Sequence, residues 1–121
     1  GNQDFVVNWK NDGEEIRGFV DNKGKQRSVV RNPSYYFKSS VSWSDVTSGI
    51  AGFRYFPKGF IFDVTGMSAF KGNYELQDIL CFSNLTFINW VAKVINPTLH
   101  FQIGNFNQLP FTENISSSNV D

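Results

Sequence analysis

The stretch LQDILCFSNLTFINWVAKVI, Leu76 to Ile95, decides the fold class. Its apolar residues Leu76, Ile79, Leu80, Phe87, Ile88, Val91, Val94 and Ile95 recur mostly at spacings of three and four, which predicts a helix with one buried stripe. Ser83-Asn84 falls in the middle and suits a cap, so the reading is two helices or one kinked helix. Asn96-Pro97 ends the pattern, because a residue before proline avoids the helical region. Beyond it, Leu99, Phe101 and Ile103 alternate with His100 and Gln102, the pattern of one further strand, closed by Gly104. Asn105 to Pro110 returns as a loop or short turn.

Upstream of Leu76 the pattern is that of short strands punctuated by turns. Asp4–Trp9 is followed by the turn Lys10-Asn11-Asp12-Gly13, and Ile16–Asp21 by the turn Asp21-Asn22-Lys23-Gly24. Ser28–Arg31 stops at Asn32-Pro33, and Tyr35-Tyr36-Phe37 follows. Ser39 to Ser44 alternates polar with apolar in strand fashion. Phe53–Phe56 and Phe60–Val64, joined by Pro57-Lys58-Gly59, read as a hairpin. The class is therefore α+β: a largely antiparallel twisted sheet with one or two helices in the second half.

The chain has 121 residues, enough for one domain, expected over 1–111 with a polar tail at 112–121. Hydrophobic residues make up 40%, with 13 Phe, 4 Tyr and 3 Trp, too apolar and aromatic for a disordered segment. No apolar run approaches the ~20 residues needed to cross a bilayer, and no signal-like N-terminus is visible. A single Cys leaves no disulfide framework and no cysteine-based zinc site. The expectation is a cytoplasmic globular domain with no membrane contact.

The formal net charge is zero, yet the charges are unevenly placed. Between Asn22 and Phe62 stand seven cations, Lys23, Lys25, Arg27, Arg31, Lys38, Arg54 and Lys58, against one acid, Asp45. Such asymmetry permits one positive face on a neutral domain. Lysines that keep strand edges soluble give the same count.

Catalytic patterns are sparse. Cys81 lies on the apolar helix, where a structural thiol is expected, and His100 sits on a strand beside Phe101. Asp63 follows Phe60-Ile61-Phe62 and precedes Thr65-Gly66, the place of a turn-forming carboxylate. Asn32-Pro33-Ser34-Tyr35 approaches the Asn-Pro-Pro-Tyr motif of amine methyltransferases, but Ser34 replaces the second proline and no cofactor-binding unit precedes it. No catalytic, metal or cofactor residues are expected. A small hydrolase is the alternative to test, through a pocket that joins Asp63, His100 and one further polar group.

From Asn32 to Pro110, about two-thirds of the chain, an ordered set of segments resembles the C-terminal specificity region of PglX-type (BREX) and type II restriction-associated DNA adenine methyltransferases. These are Asn32-Pro33-Ser34-Tyr35-Tyr36-Phe37, Val41 to Gly49, Arg54 to Val64 with Gly66 to Phe70, Leu80 to Asn84, and Asn96 to Asn105 ending at Leu109-Pro110. Gly66-Met67-Ser68 departs from the family's Gly-Ser-Ser-like stretch. The resemblance implies a parent enzyme that moves a methyl group from S-adenosylmethionine to adenine in phage defence or restriction–modification. This fragment would hold no cofactor, grip double-stranded DNA, and work beside the methyltransferase domain of the same chain. Lys23, Lys25, Arg27, Arg31, Lys38 and Lys58 suit phosphate contacts. Ser39, Ser40, Ser42, Ser44, Thr47, Ser48 and Ser68 suit hydrogen bonds to phosphate or bases, and Arg54 or Arg31 a guanine. Phe82 and Trp90, at the edge of the helical stripe, are candidates to touch the methyltransferase domain. The rival reading is a protein-interaction module whose basic face docks an acidic partner.

Overall fold

The computed structural model describes residues 5–112, so most of the expected tail lies outside the described residues. The elements run α1 (Lys10–Arg17), a short 3-10 turn (Pro33–Tyr35), β1 (Ser40–Ser44), β2 (Arg54–Phe56), β3 (Gly66–Phe70), α2 (Leu76–Ser83), α3 (Thr86–Ile95) and α4 (Ile103–Phe106). The class is α+β, with most helices after the strands. The chain divides after Tyr36 into two compact units.

The first unit is built from turns rather than the expected strands. The strand expected from Asp4 begins outside the described residues, and residues 5–9 form none. Asn11, Asp12 and Gly13 take φ of 51°, 57° and 74°, left-handed conformations that Asn, Asp and Gly tolerate best. At Gly13 a side chain has no room, since a Cβ would lie 2.8 Å from the Trp9 ring. Arg17 reaches back to Asp12 at 3.0 Å and lies over the same indole, and Tyr36 meets Trp9 edge-on. The Gly18 amide donates to the Glu14 carbonyl, so the start of the expected Ile16–Asp21 strand is wound into a helical turn. The turn at Asp21-Asn22-Lys23-Gly24 forms as expected. Asp21 Oδ1 accepts from the Lys23 and Lys25 amides, both at 2.9 Å, and a single antiparallel bridge joins Val20 to Gln26. Ser28 donates its hydroxyl to the Ile16 carbonyl.

The second unit carries the sheet, in the order β2-β1-β3, both outer strands antiparallel to β1. The expected hairpin of Phe53–Phe56 with Phe60–Val64 is corrected: β2 pairs with β1, and residues 60–64 form no strand. The Phe60 ring packs on Phe56 and the Phe62 ring on Phe70, so this segment folds over the sheet instead of extending it. The third strand is Gly66–Phe70, a stretch of small and mixed residues without a strand signature.

Val41 and Trp43 point from β1 into an aromatic core. The Trp43 ring stacks on Phe106 at 4.6 Å and meets Phe53 and Phe101, and its Nε1 donates to the Phe101 carbonyl at 2.8 Å. The helical stretch is two helices bent by 75° at Ser83–Leu85. Ile79, Phe82, Ile88 and Ala92 are buried, with Leu76, Leu80, Val91 and Ile95 packed beside them. Three expectations fail here. Phe82 is 1% exposed and belongs to the core, while Phe87 and Val94 lie outside the buried stripe. Nor do Ser83 and Asn84 cap α3. The Ser83 hydroxyl donates back to the Ile79 carbonyl, and the Asn84 amide reaches Phe53.

The strand expected at Leu99–Ile103 reduces to one bridge, Val46 to His100, flanked by bonds from Thr47 N to Leu99 O and from Phe101 N to Asp45 O. Ile103 opens α4, because the Gln102 and Asn105 side chains cap each other's backbone and start a helical turn there. No single helix among the described residues is long and apolar enough to cross a membrane.

Candidate nucleic-acid interface

Side chains directly opposite each other in neighbouring antiparallel strands share a face. Ser42 of β1 stands opposite Arg54 of β2 on one side and Ser68 of β3 on the other. Arg54, Ser42 and Ser68 therefore form one row across all three strands, on the face turned away from Val41 and Trp43. Ser44, exposed and opposite Gly66, extends that face by one step.

The row is polar and partly committed. Ser42 Oγ donates to the Met67 carbonyl at 2.7 Å, so its hydroxyl proton is held by the sheet and its lone pairs remain to accept. Arg54 is exposed, and among the described residues no acid pairs with it. Its neighbour Phe53 is clamped by Asn84, whose Oδ1 accepts the Phe53 amide at 3.3 Å and whose Nδ2 donates to the Phe53 carbonyl at 3.1 Å. Nothing local in the sequence marks Asn84 as this anchor.

The other expected residues are placed less uniformly. Ser40 shares the outer face but is 6% exposed, because Phe56 and Phe70 flank it in register and carry the Phe60 and Phe62 rings. The fold thus leaves Ser40 no surface to offer. Ser39 lines an open cleft with Tyr55, Lys71, Glu75 and Leu76, on the side of the sheet that carries α2. Lys38 and Lys58 are exposed and brought together through backbone bonds, Gly59 N to Phe37 O and Phe37 N to Phe60 O. Phe37 takes a φ of 64° and Gly59 one of 108° to make that contact.

In the first unit, Lys23, Lys25 and Arg31 are exposed, whereas Arg27 forms an ion pair with Asp21 at 3.1 Å.

Asp63 and His100 have different partners. Asp63 Oδ1 accepts from the Thr65 amide and hydroxyl at 2.9 Å and the Gly66 amide at 2.7 Å, closing the turn into β3. Burial pushes its carboxyl up, but the bonds from the Thr65 hydroxyl and the Gly66 and Thr65 amides outweigh this and hold it below the ordinary value. His100 Nδ1 pairs with Asp45 Oδ2 at 3.2 Å, while the buried Oδ1 of Asp45 has no partner among the described residues. Asp45 was legible only as an acid within the basic run. Among the described residues no hydroxyl or thiol is bonded to the His100 ring, and no three His, Cys, Asp or Glu side chains gather as a metal set.

The chain is 36% identical over 123 aligned residues to the adenine-specific methyltransferase PglX of Lacticaseibacillus casei (strain Zhang), an alignment that covers all of it. It is also 36% identical over 117 residues to the adenine-specific methyltransferase BrxX of Escherichia coli O9:H4 (strain HS), covering 94% of it. The chain is homologous to one segment of the PglX and BrxX methyltransferases. That segment is 10% and 9% of the two proteins, so the chain spans about a tenth of the length of the curated relatives it matches. No family model matches the chain. The homology extends over residues 1–31, for which the sequence alone suggested no relative.

Proposed function

We propose that this chain is the DNA-reading part of a bacterial DNA adenine methyltransferase of the phage-defence kind, and that the outer face of its sheet meets double-stranded DNA. The observation that carries this reading is the register of Arg54, Ser42 and Ser68. Three neighbouring strands present a guanidinium and two hydroxyls in one line, on the face opposite Val41 and Trp43, where the helices of the same unit do not pack. A guanidinium is a planar fork that pairs with guanine O6 and N7 in the major groove. Ser42, whose proton is already held, accepts from an exocyclic amino group, and Ser68 and Ser44 serve bases or phosphates. Lys38 and Lys58 neutralise phosphates beside the row. Within the first unit, taken by itself, the exposed Lys23 and Lys25 of the Asp21 turn, and Arg31, also suit phosphate.

On this reading the reaction takes place elsewhere in the parent. A separate domain binds S-adenosylmethionine and receives the flipped adenine, and the enzyme works in the cytoplasm where the chromosome lies. The homology to two adenine-specific methyltransferases supports the parent's class, and the row supports the role of this part. The test is fluorescence anisotropy of a labelled duplex titrated with salt. The expected result is log–log weakening with a slope of about −0.9 for each phosphate contacted. Absence of binding even in dilute buffer overturns the reading.

A further inference from the structure

α3 carries apolar residues beyond the stripe that packs into the core. Ile88 and Ala92 face the core, while Phe87, Trp90 and Val94 are 64%, 63% and 64% exposed. The three exposed residues are spaced three and four apart and so share one face. The Phe87 and Trp90 rings stack at 6.2 Å with 25° between their planes, an ordered apolar surface in the midst of solvent. The sole charged residue of the helix is Lys93. The polar residues Thr86, Asn89 and Lys93 share a separate stripe, so the apolar sector of α3 is wider than its contact with the core uses.

We propose that the Phe87–Trp90–Val94 face docks against an apolar surface on the remainder of the methyltransferase polypeptide, and so fixes the reading sheet relative to the rest of the enzyme. This rests on the reading of the chain as one part of such an enzyme. Two observations select that occupant. Three side chains are far fewer than the ~20–30 residues per side of a stable interface between separate molecules, which disfavours a second copy. A surface on the same polypeptide needs much less contact, because the tether holds it at roughly millimolar effective concentration. The relatives supply that polypeptide, being about ten times the length of the matched segment. A nearly uncharged face is also a poor match for phosphate, which separates it from the sheet face that carries Arg54.

The experiment is hydroxyl-radical footprinting of the full-length methyltransferase that carries this chain, read by mass spectrometry at Trp90 and Phe87. Trp43, 2% exposed, is the internal standard for a buried indole. The expected result is that Trp90 loses its excess oxidation over Trp43, without DNA and at every protein concentration. Oxidation of Trp90 far faster than Trp43 overturns the proposal. So does protection that fades on dilution, the mark of a second copy, or that arises only with duplex present. Anisotropy on the same sample separates the two ideas. Trp90 protection without DNA binding sinks the DNA reading alone, and DNA binding with a reactive Trp90 sinks the docking alone.

Discussion

The side chain of Asn84 pairs with both backbone groups of Phe53, accepting from its amide and donating to its carbonyl, as a neighbouring strand would. The same Nδ2 also donates to the Leu80 carbonyl at 3.0 Å. One amide thus ties the end of α2 to the residue before Arg54, and the position of the proposed reading side chain depends on the helix pair behind it. Asn84→Ala leaves part-buried backbone groups at Phe53 without partners. A loss of ~1–3 kcal/mol is expected, seen as a lower urea midpoint at unchanged slope. An unchanged midpoint would show that water replaces the amide without loss.

Asp63 makes a prediction about acid. Its folded carboxyl ionises at lower pH than in the unfolded chain, because the Thr65 and Gly66 bonds outweigh its burial. Below the unfolded value of about 3.9 the unfolded chain therefore binds more protons, and stability rises with pH there. The contribution is fully present above that value and is lost as pH falls through the folded one. Asp63→Asn keeps an acceptor for the turn but removes the titration. The melting temperature of the variant is expected to fall less steeply than that of the parent below about pH 4. Parallel curves would show that the turn does not sense the charge.

How much of this could be read beforehand follows from the range of the forces involved. The turns at Asn11–Gly13 and Asp21–Gly24 were legible because Asn, Asp and Gly carry their own conformational bias. The helices over Leu76–Ile95 were legible because one periodicity spans both. β3 was not, since Gly66–Phe70 gains its extended form from pairing with β1 rather than from its own residues. Ser40 read as a surface serine and is buried between Phe56 and Phe70, which carry the Phe60 and Phe62 rings of a loop whose path no local pattern gives. The periodicity that marked Phe87 and Val94 as buried reports only that they are apolar, not which surface covers them. Of the site, the Arg54–Ser42–Ser68 row required the register, which is a long-range property.

Gly13→Ala tests the first unit by itself. The substitution places a side chain at a φ of +74° and against the Trp9 ring. The left-handed backbone alone costs roughly 1–2 kcal/mol for a non-glycine residue, and the ring must also move. The expected sign is destabilisation of the Trp9–Arg17–Tyr36 cluster. It would be read as a changed near-ultraviolet signal from Trp9, with the second unit melting as before. A wild-type signal would mean that the turn opens at no cost.

Arg54 and Lys58 are expected to fail differently, and the difference identifies what each touches. A guanidinium on a guanine contributes to one sequence and not to its variants. Arg54→Ala should therefore reduce discrimination at a single base pair by ~1–3 kcal/mol, roughly 5- to 150-fold. Lys58→Ala removes a phosphate contact. It should weaken every duplex alike and make the salt slope shallower by about one. Lys25→Ala combined with Arg27→Ala should behave as Lys58→Ala does, with most of the effect from Lys25, because Arg27 is already paired with Asp21. The measurement is anisotropy against a set of duplexes that differ one base pair at a time, each at several salt concentrations. If Arg54→Ala weakened all of them equally and moved the slope, Arg54 would be one more phosphate contact, and base reading would have to lie outside the row.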